Sequence, residues 1–423
     1  MSQLGFSSLE PDLLVSDLSE LAKIGATDSG GITRPAYSAA YKQAQAWLIA
    51  RMQAAGLVTR VDPAGNIIGR IGPEDAQVIA CGSHIDTVPG GGAYDGALGV
   101  LAGLSVARAL AQHQNKMALA FEVIAFSDEE GAYLSEAGAR AMAGDLTARE
   151  IHENIGRDGR KMSDALVDFG LDPEEFAAAR RPASDFAAYL ELHIEQGPVL
   201  EAAAVDIGVV ESITGIHTGE LTFSGQANHA GTTPIRLRHD AFRAAAETVN
   251  ACFDKVEKSF PDETRITFGK VDVGPGATNV VPAEVVLSCE IRAGSEALIS
   301  SVAEETDEIA RSIAEAHGVA VESRMISREA PAVMDGLIVQ TIEASCKAAN
   351  VKFVRMNSGA GHDAQIMAGF CPTGMIFVPS QGGISHNPAE YTSAEQIEAG
   401  ARVLLATVRA LLREEERRVR QGF

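Results

Sequence analysis

Val78-Ile-Ala-Cys-Gly-Ser-His84-Ile-Asp86 sets a short apolar run directly against an imidazole and a carboxylate. A run this short and this apolar reads as a strand covered on both faces, ending in a polar pair. The construction recurs three times. Residues 119–126 run into Asp128-Glu129-Glu130, 188–192 open onto His193, and 374–378 are followed by the loop that carries His386. Helical periodicity separates these runs. Residues 38–55 carry Tyr41, Trp47, Leu48 and Met52 on one face and stop at Gly56, and 100–110 are helical. Ser393 and Gln396 form a capping-box pattern before a last helix with Ile397, Val403, Leu404, Leu411 and Leu412 on its apolar face. Alternating helix and strand, with polar groups at four strand ends, predicts an open α/β sheet whose site lies at the carboxyl ends of its strands.

The texture changes over 213–328. Residues 220–224 and 285–292 alternate as half-exposed strands, and 238–257 and 296–316 read as amphipathic helices. Strand-helix-strand-strand-helix-strand is the ferredoxin-like order. The chain therefore divides into 1–212 and 329–423, a catalytic core in two parts, and an inserted α+β domain at 213–328. A length of 423 residues agrees with more than one core.

A formal charge of −22 excludes a nucleic-acid partner, whose phosphates require a basic face. It leaves room for a small anionic substrate, because an arginine and bound cations can invert the local field. No apolar stretch is long enough for a membrane span, and residues 1–25 are acidic and amphipathic rather than signal-like. A cytoplasmic location is the resulting expectation. Cys81, Cys252, Cys289, Cys346 and Cys371 are scattered, without metal-ligand spacing, and read as small buried hydrophobes in a reducing compartment.

The polar groups at the strand ends define a chemistry. His84, Asp95, Glu130, His193 and His386 can form two imidazole–carboxylate sets that share one bridge, the donor set of a paired divalent metal site that makes hydroxide at neutral pH. Asp95 lies in a bend with Gly90, Gly91, Gly92 and Gly96, and in the company of the other four it reads as the bridging carboxylate. Asp86 is too near His84 in sequence to join it comfortably on one ion and suits the orienting of that imidazole. Of the adjacent acids, Glu130 is assigned as ligand and Glu129 as the general base that moves a proton to the leaving nitrogen. Spacing alone does not pair each imidazole with an ion. Arg292, on an alternating strand, is a natural clamp for a substrate carboxylate, and Asn279 can donate to the same group. His229, in a Gly/Thr/Pro-rich loop, is a candidate electrophile, and Gly359, Gly361 and His362 can present donors to a substrate. His113, His152, His217, His239 and His317 receive no role.

Five strings carry a resemblance across roughly residues 32–412: Gly82-Ser-His-Ile-Asp-Thr-Val-Pro-Gly-Gly-Gly-Ala-Tyr-Asp-Gly96, Ser127-Asp-Glu-Glu-Gly131, His193-Ile-Glu-Gln-Gly-Pro-Val-Leu-Glu201, Ala227-Asn-His-Ala-Gly-Thr-Thr-Pro234 and Ser358-Gly-Ala-Gly-His-Asp363. Together they resemble the amidase/hydantoinase/carbamoylase branch of the dinuclear zinc aminoacylase and carboxypeptidase family. The third and fourth are highly specific to it. The resemblance implies an α/β mixed-sheet dinuclear metallohydrolase core with an inserted ferredoxin-like lid that also forms a homodimer interface. It implies two divalent ions (zinc, manganese or cobalt), with His84 and His193 on one, Glu130 and His386 on the other, Asp95 between them and Glu129 as base. It places Gln196, His229, Asn279, Arg292 and His362 at the substrate, with His229 reaching into the partner subunit's site to polarise the scissile carbonyl. The implied reaction is hydrolysis of an N-carbamoyl amino acid, or another ureido or amide compound bearing a carboxylate.

One stretch departs from the family pattern. After Gly131 the family usually carries an Arg-Phe pair and later a Gly-Ser-Arg, whereas this chain has Ala132-Tyr133-Leu134 and Gly138-Ala139-Arg140. An enzyme of the same architecture that cleaves N-acyl amino acids or dipeptides is the nearest alternative. A non-catalytic binding protein on this fold would be expected to have lost ligands, and all five are present with the base.

Overall fold

The computed structural model describes residues 9–112 and 117–421; residues 1–8 of the acidic N-terminal stretch and His113 lie outside the described residues. Two units form. One takes the described residues up to Glu211 together with Met334–Met356 and those from Ala360 on; the other comprises Ser212–Val333 and Asn357–Gly359.

The first unit is built on a mixed sheet. Its strands lie in the order Val58–Val61, Ile67–Ile71, Ala120–Phe126, Val78–His84, Phe186–Ile194, Thr373–Val378 and Ile207–Ile213. The four strands that precede the candidate ligands stand side by side at the centre and run parallel. Their neighbours on either side, Ile67–Ile71 and Ile207–Ile213, run antiparallel. Every residue of Val78–His84 and Ala120–Phe126 is buried, as expected for strands covered on both faces. Glu122 lies within that covered sheet, fully buried, and is neutralised by Arg70 at 3.0 Å and Arg181 at 2.6 Å. A buried carboxylate in a strand requires such pairing.

Helix ends follow local chemistry. Ser38 caps Ala39–Ala54 by accepting a hydrogen bond from the Tyr41 amide. The Ser393–Gln396 capping box closes in both directions at the start of Ala394–Gln421. The helix Ala97–Ala111 is buried on almost every side, which explains its near-continuous apolar sequence. All five cysteines are buried and unbridged.

The second unit holds the antiparallel strands Gly215–Ser224, Arg265–Thr267, Val271–Gly274, Glu284–Ala293 and Ala320–Glu329. Counting Arg265–Thr267 and Val271–Gly274 as one interrupted strand, the order across the sheet is fourth, first, third, second. That is the ferredoxin-like order read from the sequence. Helices Ala241–Ser259 and Glu296–His317 pack on it around Leu221, Phe223, Val285 and Leu287. The first strand begins earlier than its alternation suggested, because Gly215 and Gly219 interrupt the pattern. The first helix begins later, because Asp240 caps it through the Phe242 and Arg243 amides.

Close strand packing sets one requirement at Gly82. A methyl group there would overlap the Ile124 carbonyl of the adjacent parallel strand. Gly82→Ala is expected to cost about 1–3 kcal/mol of stability, the usual range for overpacking a filled interior. A thermal melt reads this directly, and an unchanged Tm would contradict the packing.

Candidate metal centre

The parallel strands bring their carboxyl ends to one place. His84 is the last residue of its strand, Glu129 and Glu130 follow Phe126 by a short turn, and His193 lies next to the end of Phe186–Ile194. His386 and Asp95 arrive on loops. His84 Nδ1 faces the Asp86 carbonyl at 3.0 Å, and His193 Nδ1 faces the Ile194 carbonyl at 2.9 Å. With Nδ1–H donating to those carbonyls, Nε2 is the basic nitrogen of each ring.

Those Nε2 atoms point at Asp95. Its Oδ1 lies 3.5 Å from His84 Nε2 and 3.2 Å from His193 Nε2. Its Oδ2 lies 3.2 Å from His386 Nε2, which is itself 3.6 Å from Glu130 Oε2. One carboxylate thus turns one oxygen to each of two sets, His84–His193 and His386–Glu130. Glu129 Oε2 lies 3.4 Å from His84 Nε2, beside the first set.

The donors fit divalent cations. Ligands about 2.1 Å from a tetrahedral zinc are separated by about 3.4 Å, close to the spacings just given. Lone pairs of imidazole and carboxylate facing each other at such distances need a positive centre between them. Asp86 Oδ1 and Gln196 Oε1 are also buried at this end, with no hydrogen-bond partner among the described residues.

Electrostatics carry the same signature. Burial lowers the pKa of His84, but Glu129, Asp95 and Asp86 outweigh it and hold the group well above the ordinary range. Burial, reinforced by Asp363, Glu130 and Glu136 and opposed by His84, holds Glu129 well above the usual carboxylate range. Burial, helped by Asp95, pushes Glu130 up to about 7. Without cations these acids must take up protons.

The remaining candidates separate by unit. In the first, Gln196 Nε2 donates to Asp95 Oδ2 at 2.9 Å, and the His362 ring packs edge-on against His193 at 4.5 Å between centroids. Gly361 adjoins Glu136. In the second unit, His229 is exposed and bridges Val280, while the Asn279 carbonyl accepts from the Ala230 amide, so these two loops are tied together. Arg292 donates through Nε to Glu290 at 2.8 Å and through Nη1 to the Gly359 carbonyl at 2.8 Å.

Several supporting residues were missed in the sequence. Glu390 accepts from the Tyr94 and Asp95 amides and from the Ser385 hydroxyl, fixing the bend that presents Asp95. Asp128, buried, accepts from the Tyr133 and Leu134 amides and holds the turn after Glu129 and Glu130. Arg34, only 1% exposed, donates to the Ile85 carbonyl and braces the chain between His84 and Asp86. Glu191 accepts from the Ser83 hydroxyl beneath the site. Strand alternation gave a signal for Glu191, which shares a face with His193. Glu390 had none, being 295 positions from the residue it serves.

Residues 80–410 match the model of peptidase family M20/M25/M40. The chain is 37% identical over 405 residues to an N-carbamoyl-L-amino acid amidohydrolase from Geobacillus stearothermophilus, covering 95% of this chain and 98% of that one. It is 34% identical to an allantoate amidohydrolase from Bacillus subtilis (strain 168), covering 91% and 93%. Among solved structures, an amidase of the hydantoinase/carbamoylase family from Burkholderia multivorans superposes with a TM-score of 0.87 at 33% identity, covering 95% and 98%.

Cations should relieve this crowded acid cluster. Adding manganese, cobalt or zinc to metal-stripped protein is expected to raise Tm, because an ion that binds only the folded state stabilises it. Asp95→Asn, which removes the shared charge, should abolish most of that rise. A rise of the same size in the variant would dismiss Asp95 as a ligand.

Proposed function

The chain belongs to peptidase family M20/M25/M40, and from that premise we propose that it is a metal-dependent amidohydrolase cleaving the C–N bond of a ureido group, as in an N-carbamoyl amino acid. The observation that carries the reading is Asp95, with one oxygen turned to His84 and His193 and the other to His386 and Glu130. The names of the relatives support the substrate class, since carbamoyl amino acids and allantoate both carry ureido groups. Water and the ureido compound would give the amine, ammonia and carbon dioxide.

His84, Asp95 and His193 would hold one divalent ion and Asp95, Glu130 and His386 a second, with zinc, manganese and cobalt all suited to such donors. When bound, the ions supply positive charge for the carbonyl oxygen and make water acidic enough to attack at neutral pH. Glu129, beside His84, takes the proton from the attacking water and delivers it to the departing nitrogen. Asp86 orients His84. Gln196, whose Nε2 donates to Asp95 and Ser385, would accept a substrate N–H at its Oε1.

The second unit supplies the rest of this reading. Arg292 has two of its five N–H groups engaged by Glu290 and Gly359, and the others can clamp a substrate carboxylate together with Asn279. His229, on an exposed loop, serves as electrophile for the carbonyl oxygen, in the site of a partner subunit. This unit then acts as lid and as homodimer interface, and His362 and Gly361 line the ureido end.

The deciding experiment measures ammonia release from N-carbamoyl amino acids, N-carbamoyl-β-alanine and allantoate by metal-loaded protein. N-acetyl and N-formyl amino acids, followed by amine release, run alongside. Ammonia from a ureido compound is expected; amine from the acyl compounds alone would replace the reading with an aminoacylase. Glu129→Gln should retain both ions by elemental analysis yet lose about a hundredfold to ten-thousandfold in kcat. Full turnover in that variant would remove Glu129 as the base. For Arg292→Ala we expect a KM roughly tenfold to a hundredfold higher for carboxylate substrates, matching the loss of a charged hydrogen bond. An unchanged KM would place Arg292 outside the site.

A further inference from the structure

A cavity of about 370 Å³ opens in the first unit against the candidate metal centre. Glu130, of the second set, lines it together with Thr87, and Tyr37, Tyr133, Pro35 and Pro89 contribute two rings and two prolines to the walls. Its volume is at the lower end of what small-molecule pockets offer, enough for one ring-bearing substituent and too little for a large ligand.

The walls are built rather than incidental. Tyr37 is almost fully buried, holds φ at 59°, and hydrogen-bonds the Ser127 hydroxyl at 3.2 Å. Left-handed backbone at a bulky residue is costly and persists where the surroundings dictate it. Its ring lies 6.0 Å from that of Tyr133. Tyr133 is pinned in turn: its amide donates to Asp128, its hydroxyl donates to Asp158 at 2.7 Å, and its ring occupies the space that a side chain at Gly156 would fill. The Arg157 amide donates to the Ala132 carbonyl at 2.8 Å, closing the two loops on each other.

Charge along the lining is balanced. Arg157 donates to the Glu130 carbonyl and Arg160 pairs with Asp168, while Asp158, another lining residue, offsets the cation that is left. An anionic substituent would gain little there, while two tyrosine rings and two prolines offer an apolar, partly aromatic surface. Ala132 and Tyr133 both line the cavity, so the stretch singled out in the sequence shapes its wall.

Resting on the ureido-hydrolase reading above, we propose that this cavity is the subsite for the substrate's side chain and that it selects a bulky apolar or aromatic group. The enzyme would then act on N-carbamoyl derivatives of amino acids such as phenylalanine, in preference to N-carbamoylglycine, N-carbamoyl-aspartate or allantoate.

The test compares kcat/KM for those four compounds in the metal-loaded protein and in Ala132→Leu, which fills the cavity. We expect N-carbamoyl-phenylalanine to exceed N-carbamoylglycine by about tenfold or more, the scale on which hydrophobic pockets discriminate. Ala132→Leu should collapse that ratio. Tyr133→Ala, which removes a wall instead of filling the space, should lower it as well. A preference for glycine, aspartate or allantoate, or a ratio that stays within twofold in both variants, overturns the subsite. If no ureido compound is hydrolysed, the proposed reaction fails, and calorimetry with phenylalanine then decides the subsite separately. Binding that weakens in Ala132→Leu supports it, and no binding to the unsubstituted protein overturns it.

Discussion

Everything at the functional end of this molecule depends on holding Asp95 so that its two oxygens face different imidazoles. A lone carboxylate on a glycine-rich bend would turn toward solvent. Here Glu390 receives the amides of Tyr94 and Asp95, and Gln196 and Ser385 donate to Asp95 Oδ2. Gly96, at φ 62°, leaves room for the His84 ring beside the carboxylate, where any β-carbon would collide with it. The arrangement gathers negative charge in a buried place, and such charge is tolerable only beside protons or cations. The metal-ligand geometry and the raised carboxyl pKa values are therefore two consequences of the same crowding.

The sheet makes this crowding possible at modest cost. Four adjacent parallel strands end at one edge, so residues from widely separated parts of the chain converge without long excursions. Rigidity comes from the covered faces and from buried polar braces. Arg34 ties three carbonyls, those of Leu21, Ile24 and Ile85, and its pKa is lowered to about 10 by burial, with Asp86 acting against that loss. Glu122 is held by Arg70 and Arg181 on the same sheet. Arg34 and Glu122 are compensated where they stand, whereas the acids around Asp95 crowd beside one another, the pattern expected of a functional site.

Much of this was legible in the sequence because the physics is local. An apolar run followed by an acid or a histidine marks a covered strand with a polar end, and the runs before His84, Glu130 and His193 are covered strands whose polar ends lie together. The α/β class and the ferredoxin-like order of the second unit followed from periodicity of two and of 3.6. What could not be read was whatever depends on distant partners. Glu390 is an unremarkable acid in its own segment, and Asp128 looked like one more member of an acidic turn rather than its anchor. The short strands Arg265–Thr267 and Val271–Gly274 have too few residues for alternation to register. Their pairing with Glu284–Ala293, not their own sequence, makes them strands.

The division between Glu129 and Glu130 shows how far a two-residue motif can be resolved by geometry. Adjacent residues in a turn point their side chains in different directions, and here Glu130 faces His386 while Glu129 faces His84. The amide of Glu130 is further held by Asp86 Oδ2 at 3.2 Å, while the Asp86 carbonyl faces His84 Nδ1, so one residue touches both sets, through its side chain on one and its main chain on the other. The same turn continues through Asp128 into Tyr133, so the loop that positions the acids also shapes the cavity beside them. The shape of the cavity and the placement of Glu129 and Glu130 are therefore mechanically linked. A substitution in 132–134 that reshapes the cavity will also disturb the two acids, unless it spares the backbone hydrogen bonds to Asp128.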